Sequence, residues 1–148
     1  MDNLLLRYIY EANKIRNTSP YRIISILILN IRIRLILKKI EQLPFFLLSM
    51  QFFQVMQNMY INMHITKYND ITIYQDSLKI VLDDDSYLVY YRSKHSYTYL
   101  VYGRVTFEID YKEKIPKKAM VEWKNIKKIL RKKYIDYVKD LSARGVML

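Results

Sequence analysis

The sequence predicts an α+β domain: an antiparallel β-meander of four to five strands over about 71–112, covered by N-terminal helices and a long C-terminal basic amphipathic helix. Three observations predict it. First, Val105, Phe107 and Ile109 alternate with Thr106, Glu108 and Asp110, the period-two pattern of a sheet with one face buried and one wet. Second, Met120, Trp123, Ile126, Leu130, Tyr134, Tyr137 or Val138, and Leu141 step by three or four residues, the signature of an amphipathic helix. Third, the chain of 148 residues has only 2 Gly and 3 Pro, which implies regular elements with short joints. A sheet of this size is unstable alone and must place its apolar face against other elements. The expectation is a single domain over 1–148, with a mainly helical apolar segment (1–66), a sheet (70–112) and a basic helix (116–142).

The elements follow in order. Asp2–Arg16 reads as a helix, with Leu5, Ile9 and Ala12 on one stripe and Asp2 as cap. It lacks the pattern of a secretory signal. Asn17-Thr18-Ser19-Pro20 breaks it, and Ser19-Pro20 suits the start of a second helix. The run Tyr21–Leu43 fits a helix through Ile24, Leu27, Ile28, Ile31 and Leu35. The alternation over 29–37 fits a strand as well, and length and capping favour helix. Only nine residues separate Arg22 from Arg32, too few to cross a bilayer. The segment Phe45–Met63 lacks Asp, Glu, Lys and Arg, but its Ser, Gln and Asn side chains are costly in hydrocarbon. It reads as a core helix burying Phe46, Met50, Phe53 and Met56, with an interfacial membrane helix as the weaker alternative.

Within the sheet, Ile71–Tyr74, Leu78–Leu82, Tyr87–Tyr91, Tyr97–Tyr102 and Val105–Lys112 are the strand-like runs. Asp83-Asp84-Asp85-Ser86 and Gly103-Arg104 carry turn chemistry between them. Pro116 then suits the first turn of the long helix, and Gly145 its stop. Lys127 alone falls inside the apolar stripe and must extend outward along its own stem.

Charge narrows the classes of function. The net charge is +11. It is +5 over residues 1–70, −1 over 71–112 and +7 over 113–148, so the field comes from the helical flanks. Such fields attract polyanions, either nucleic acid or an acidic membrane surface. Lys117, Lys124, Lys128 and Arg131 or Lys132 share a face of the C-terminal helix, and Lys117, Lys124, Lys128, Arg131 and Lys132 are the candidate nucleic-acid-binding residues. Eight of the 15 Tyr fall in 71–112, where tyrosine can stack bases, anchor an oligomer, or simply build strands. Cysteine is absent, which excludes disulfides and thiolate metal sites. His64 and His95 are isolated and lack zinc-ligand spacing. There is no phosphate-binding loop or dinucleotide fingerprint.

One constellation points to catalysis. Glu108, Asp110 and Lys112 take alternate positions of one strand, and Asp84 and Asp85 end an earlier hairpin. Asp110-Tyr111-Lys112 resembles the D-x-K motif of the PD-(D/E)xK nucleases, at the end of a strand and followed by a helix. The resemblance implies Asp110 and the preceding acid, Asp84 or Asp85, as Mg²⁺ ligands, with Asp110, Lys112 and Glu108 as catalytic residues.

The leading expectation is a small, non-enzymatic nucleic-acid-binding protein of nucleoprotein or viral type. It requires no cofactor and is intracellular, cytoplasmic or nucleoprotein-associated, and not secreted. Homo-oligomerisation through the Tyr-rich sheet is a further expectation, and peripheral membrane contact a weaker one. A Mg²⁺-dependent nuclease is the alternative, and a structural assembly subunit binding mainly protein is the second alternative.

Overall fold

The computed structural model describes residues 2–83, 86–92, 97–102, 107–109, 114–115 and 117–146; for 83, 91–92, 97–102, 107–109 and 118 it describes the backbone. The architecture is α+β. The helices are α1 (Leu4–Asn17), α2 (Ile23–Glu41), α3 (Phe45–Met63) and α4 (Met120–Ala143), the last preceded by a 3₁₀ turn at Lys117–Ala119. Between α3 and that turn lie β1 (Lys67–Tyr68), β2 (Ile71–Ile73), β3 (Ser77–Asp83), β4 (Ser86–Arg92), β5 (Tyr97–Tyr102) and β6 (Phe107–Ile109). The chain divides into two compact units, one of residues 1–55 and 131–148, the other of residues 56–130.

In the first unit α1 and α2 form a helical hairpin. Helix α1 starts one residue later than expected. Asn3, not Asp2, caps it, its side-chain oxygen accepting from the amides of Leu5 and Leu6. Asp2 instead pairs with Arg7 at 3.2 Å. Leu5 and Ile9 are buried, as their spacing predicts. Helix α2 also starts later than Pro20 implies. The amide of Arg22 bonds the carbonyl of Ser19 in a turn, and Ile23 opens the helix without a side-chain cap.

The expected stripe of α2 is present but points the other way. Leu29, Ile36 and Ile40 are buried, whereas Ile24, Leu27, Ile28, Ile31 and Leu35 are exposed. At 3.6 residues per turn these two sets lie on roughly opposite sides of the helix.

Helix α3 is apolar nearly all round and buried accordingly. Phe45, Leu48, Phe52, Phe53, Val55, Met56 and Met59 are buried, while Phe46 and Met50 are half-buried. Gln51 Oε1 accepts from the Leu4 amide, Asn3 Nδ2 donates to the Gln51 carbonyl and to Gln54 Oε1, and Gln57 Nε2 donates to the Tyr74 carbonyl at 2.9 Å. Among the described residues, no helix is long and apolar enough to cross a membrane.

The second unit contains a sheet in strict chain order, β1 to β6, every neighbouring pair antiparallel. The expected runs form β2 to β6, and β1 adds a strand that the sequence reading lacks. Its two-residue loop, Asn69-Asp70, holds Asn69 at φ 51, a conformation asparagine tolerates in hairpin turns. Alternation sets the faces: Ile71, Ile73, Leu78, Ile80, Leu88 and Tyr90 are buried, while Thr72, Lys79, Val81, Tyr87 and Val89 are more exposed. Trp123, Ile126 and Leu130 of α4 are buried in the same unit. Of the sheet residues expected opposite them, Val105 and the side chains of Phe107 and Ile109 lie outside the described residues.

Candidate nucleic-acid interface

Helix α4 has one buried and one wet face, and the lysines divide between them as its periodicity dictates. Trp123, Ile126, Leu130, Tyr134, Val138 and Leu141 are buried along one stripe, and Met120 is 48% exposed at its start. Lys127 falls at the border of this stripe. It is half-buried, and its ammonium stands over the Trp123 ring, with Nζ 5.9 Å from the centroid.

The opposite face carries the candidate interface. Lys117 is exposed in the 3₁₀ turn, and Lys124, Lys128 and Lys132 are exposed at successive four-residue steps of α4. That spacing puts ammonium groups about 6 Å apart along the helix axis. Among the described residues, none of these lysines makes an ion pair. The row is interrupted by Asn125 and by the exposed apolar side chains Val121 and Ile129, and Asp136 ends it.

Arg131 belongs to the predicted row but has a different task. Its Nη2 donates to the carbonyl of Leu43 at 2.9 Å, and its Nη1 to that of Glu41 at 3.3 Å. It therefore binds the last carbonyl of α2 and one in the joint just after it.

Arg16, at the end of α1, likewise binds the end of α4. Its Nη2 donates to the carbonyls of Ser142 and Ala143, the second at 2.7 Å. The sequence offers no local signal for either role, because each joins residues far apart in the chain.

On the sheet, Lys79 Nζ sits 4.4 Å from the centroid of the half-buried Tyr87 ring, a cation–π contact on the face opposite the buried one. Tyr74 is exposed and Tyr90 buried, so the tyrosines of this sheet serve both faces. Register pairs Tyr87 with Tyr102 and Tyr90 with Tyr99.

The expected metal and catalytic residues stand apart from these findings. Asp84, Asp85, Asp110 and Lys112, and the side chain of Glu108, lie outside the described residues. Among the described residues, no three His, Asp or Glu side chains gather as a metal site would require. His64 follows α3 in the left-handed region at φ 56, and His95 lies outside the described residues.

Comparison with protein-family models, with curated proteins and with solved structures found no match to this chain.

Proposed function

We propose that the chain is a small nucleic-acid-binding protein that acts by binding and not by catalysis. The observation that carries this reading is the row Lys124, Lys128 and Lys132 on the outer face of α4, exposed and without an ion pair among the described residues. Surface lysines on a helix ordinarily alternate with acids three or four residues away. Here the outward face opposes that row with one acid, Asp136. Ammonium groups at helical spacing neutralise phosphates and release their counterions, which favours any polynucleotide without reading its sequence. The net charge of +11 adds long-range attraction.

The test is titration of fluorescently labelled single- and double-stranded DNA and RNA of mixed sequence, over a range of salt, with and without Mg²⁺. The proposal expects affinity that falls steeply and linearly in log salt, with the nucleic acid recovered intact. Absence of binding at low salt overturns it. Cleavage that requires Mg²⁺ overturns the non-catalytic part and returns attention to Asp84, Asp85, Asp110 and Lys112.

A further inference from the structure

Helix α2 presents a contiguous apolar row to solvent. Ile24, Leu27, Ile28, Ile31 and Leu35 are 74%, 56%, 47%, 58% and 55% exposed. The steps of three and four residues align these side chains over about 16 Å of helix. Single exposed apolar residues are ordinary on a soluble protein, but a row of this size marks a contact surface. The helix does not need the row for its own packing, since Leu29, Ile36 and Ile40 supply the buried side.

The charges beside the row all have one sign. Projected at 3.6 residues per turn, Arg32 and Lys39 flank it on one side and Arg34 on the other, while Lys38 continues the line of the row one turn beyond Leu35. No Asp or Glu occurs between Glu11 and Glu41. On the Arg32 side a cleft of about 210 Å³ opens, lined by Arg7, Glu11, Arg32, Leu35, Ile36 and Lys39. Three cations thus line the edge of the apolar row: Arg32 and Lys39 beside Glu11, and Arg7, which also pairs with Asp2 at 3.2 Å. Glu11 Oε1 is already turned to Lys14, at 3.8 Å.

We propose that α2 docks in the plane of a membrane surface bearing anionic lipid headgroups. The apolar row enters the boundary between headgroups and acyl chains. Arg32, Arg34, Lys38 and Lys39 extend to the phosphates around it, and the cleft beside Leu35 receives one headgroup. The two halves of this surface choose the occupant. A nucleic acid would satisfy the cations and leave the apolar row in water. A second copy would cover the row but bring the same cations to flanks whose one lining acid, Glu11, is already turned to Lys14. An anionic bilayer satisfies both. The helix lies on the surface and does not cross it, since cations flank its apolar row along the second half.

The experiment is vesicle flotation of the full chain, with vesicles of phosphatidylcholine alone and of phosphatidylcholine mixed with phosphatidylserine. The parent is expected to float with the mixed vesicles and to stay behind with phosphatidylcholine. Leu27→Ser with Ile31→Ser should reduce partitioning roughly tenfold or more, as the loss of two large apolar anchors implies. Arg32→Gln, Arg34→Gln and Lys38→Gln together should weaken it and flatten its salt dependence. All these positions are exposed, and the thermal midpoint of each variant checks that the fold is kept. A Leu27→Trp variant gives an independent reading, because its emission should shift to the blue on mixed vesicles. Absence of flotation on mixed vesicles overturns the proposal. So does equal flotation of the serine variant, which assigns binding to general charge. An oligomer of the parent that the serine variant dissolves, without flotation, overturns it in favour of an interface between copies. An emission maximum of the tryptophan variant unmoved by mixed vesicles overturns it as well.

Discussion

Arg131 Nη2 lies 2.9 Å from the carbonyl oxygen of Leu43, and this bond separates Arg131 from the lysines beside it in the sequence. Its guanidinium closes the C-terminal end of α2, while Lys124, Lys128 and Lys132 make no such bond among the described residues. Two different outcomes are expected. Replacing the three lysines by Gln should leave the unfolding midpoint almost unchanged, since exposed charges contribute little. It should lower affinity for all sequences alike and reduce the slope of log affinity against log salt by roughly 0.7–0.9 per lost phosphate contact. Arg131→Gln should do the reverse, costing about 1–2 kcal/mol of stability, measured by denaturant titration, with a smaller effect on the salt slope. A triple variant that binds with the parent's slope would reduce the lysine row to a solvated helix face.

Leu130 is fully buried one turn beyond Ile126 and two turns beyond Trp123. Truncation there removes apolar contacts and leaves a cavity, so Leu130→Ala should destabilise the protein by about 2–5 kcal/mol. Trp123 is the single tryptophan, buried in the same unit, and its fluorescence follows the transition directly. An unchanged midpoint in urea would show that this stripe does not carry the packing.

How far the sequence could be read differs from element to element, for physical reasons. The buried stripe of α4 is legible because its periodicity is sustained and one face is strongly basic. The second to sixth strands are legible through alternation and turn residues. Strand β1 is not, because two residues carry no periodicity, although Asn69-Asp70 is a hairpin signal. Helix α2 was legible as a helix but not in its orientation. Leu29, Ile36 and Ile40 form a second helical set, and periodicity cannot say which of two apolar sides faces inward. The cap of α1 fell one residue off because Asp2 and Asn3 are both capping residues. The task of Arg131 is invisible in sequence because it depends on Glu41 and Leu43, far away in the chain.

Gly145 and His64 both hold positive φ at a helix C-terminus, yet they should respond oppositely to exchange. Gly145, at φ +70 after α4, has Arg16 Nη1 3.2 Å from where a Cβ would stand. Gly145→Ala combines backbone strain with displacement of the guanidinium that caps α4, and should cost about 1–2 kcal/mol. His64, at φ 56, sits where α3 closes with the Ile65 amide bonded to the Met59 carbonyl, a motif that favours glycine. His64→Gly should therefore be neutral or stabilising by up to about 1 kcal/mol. Thermal midpoints of the two variants, compared with the parent, test both; a destabilised His64→Gly would show that the imidazole has a structural task.

Tyr134 and Ser49 make a buried hydroxyl pair whose consequence lies at alkaline pH. Ser49 Oγ donates to Tyr134 Oη at 3.3 Å, and the phenol ring stacks on Phe52 with centroids 4.4 Å apart. Burial holds the phenol neutral and pushes its pKa far above that of an exposed tyrosine, and the Ser49 hydrogen bond offsets only part of that rise. The sign follows from proton counting. Below about pH 10 both the folded and the unfolded chain keep this proton, so the full stability is present. Above it the unfolded chain releases the proton and the folded chain retains it, so stability falls as pH rises, by at most about 1.4 kcal/mol per pH unit from this group. Tyr134→Phe removes that contribution. At neutral pH the variant should differ from the parent by about 1 kcal/mol or less, because one hydroxyl bond is lost and one buried hydroxyl is removed. Between about pH 10 and 11.5 its stability should decline more slowly than the parent's. Denaturant titrations of both proteins across that range check it, and parallel declines would mean that Tyr134 ionises in the folded state as readily as an exposed tyrosine.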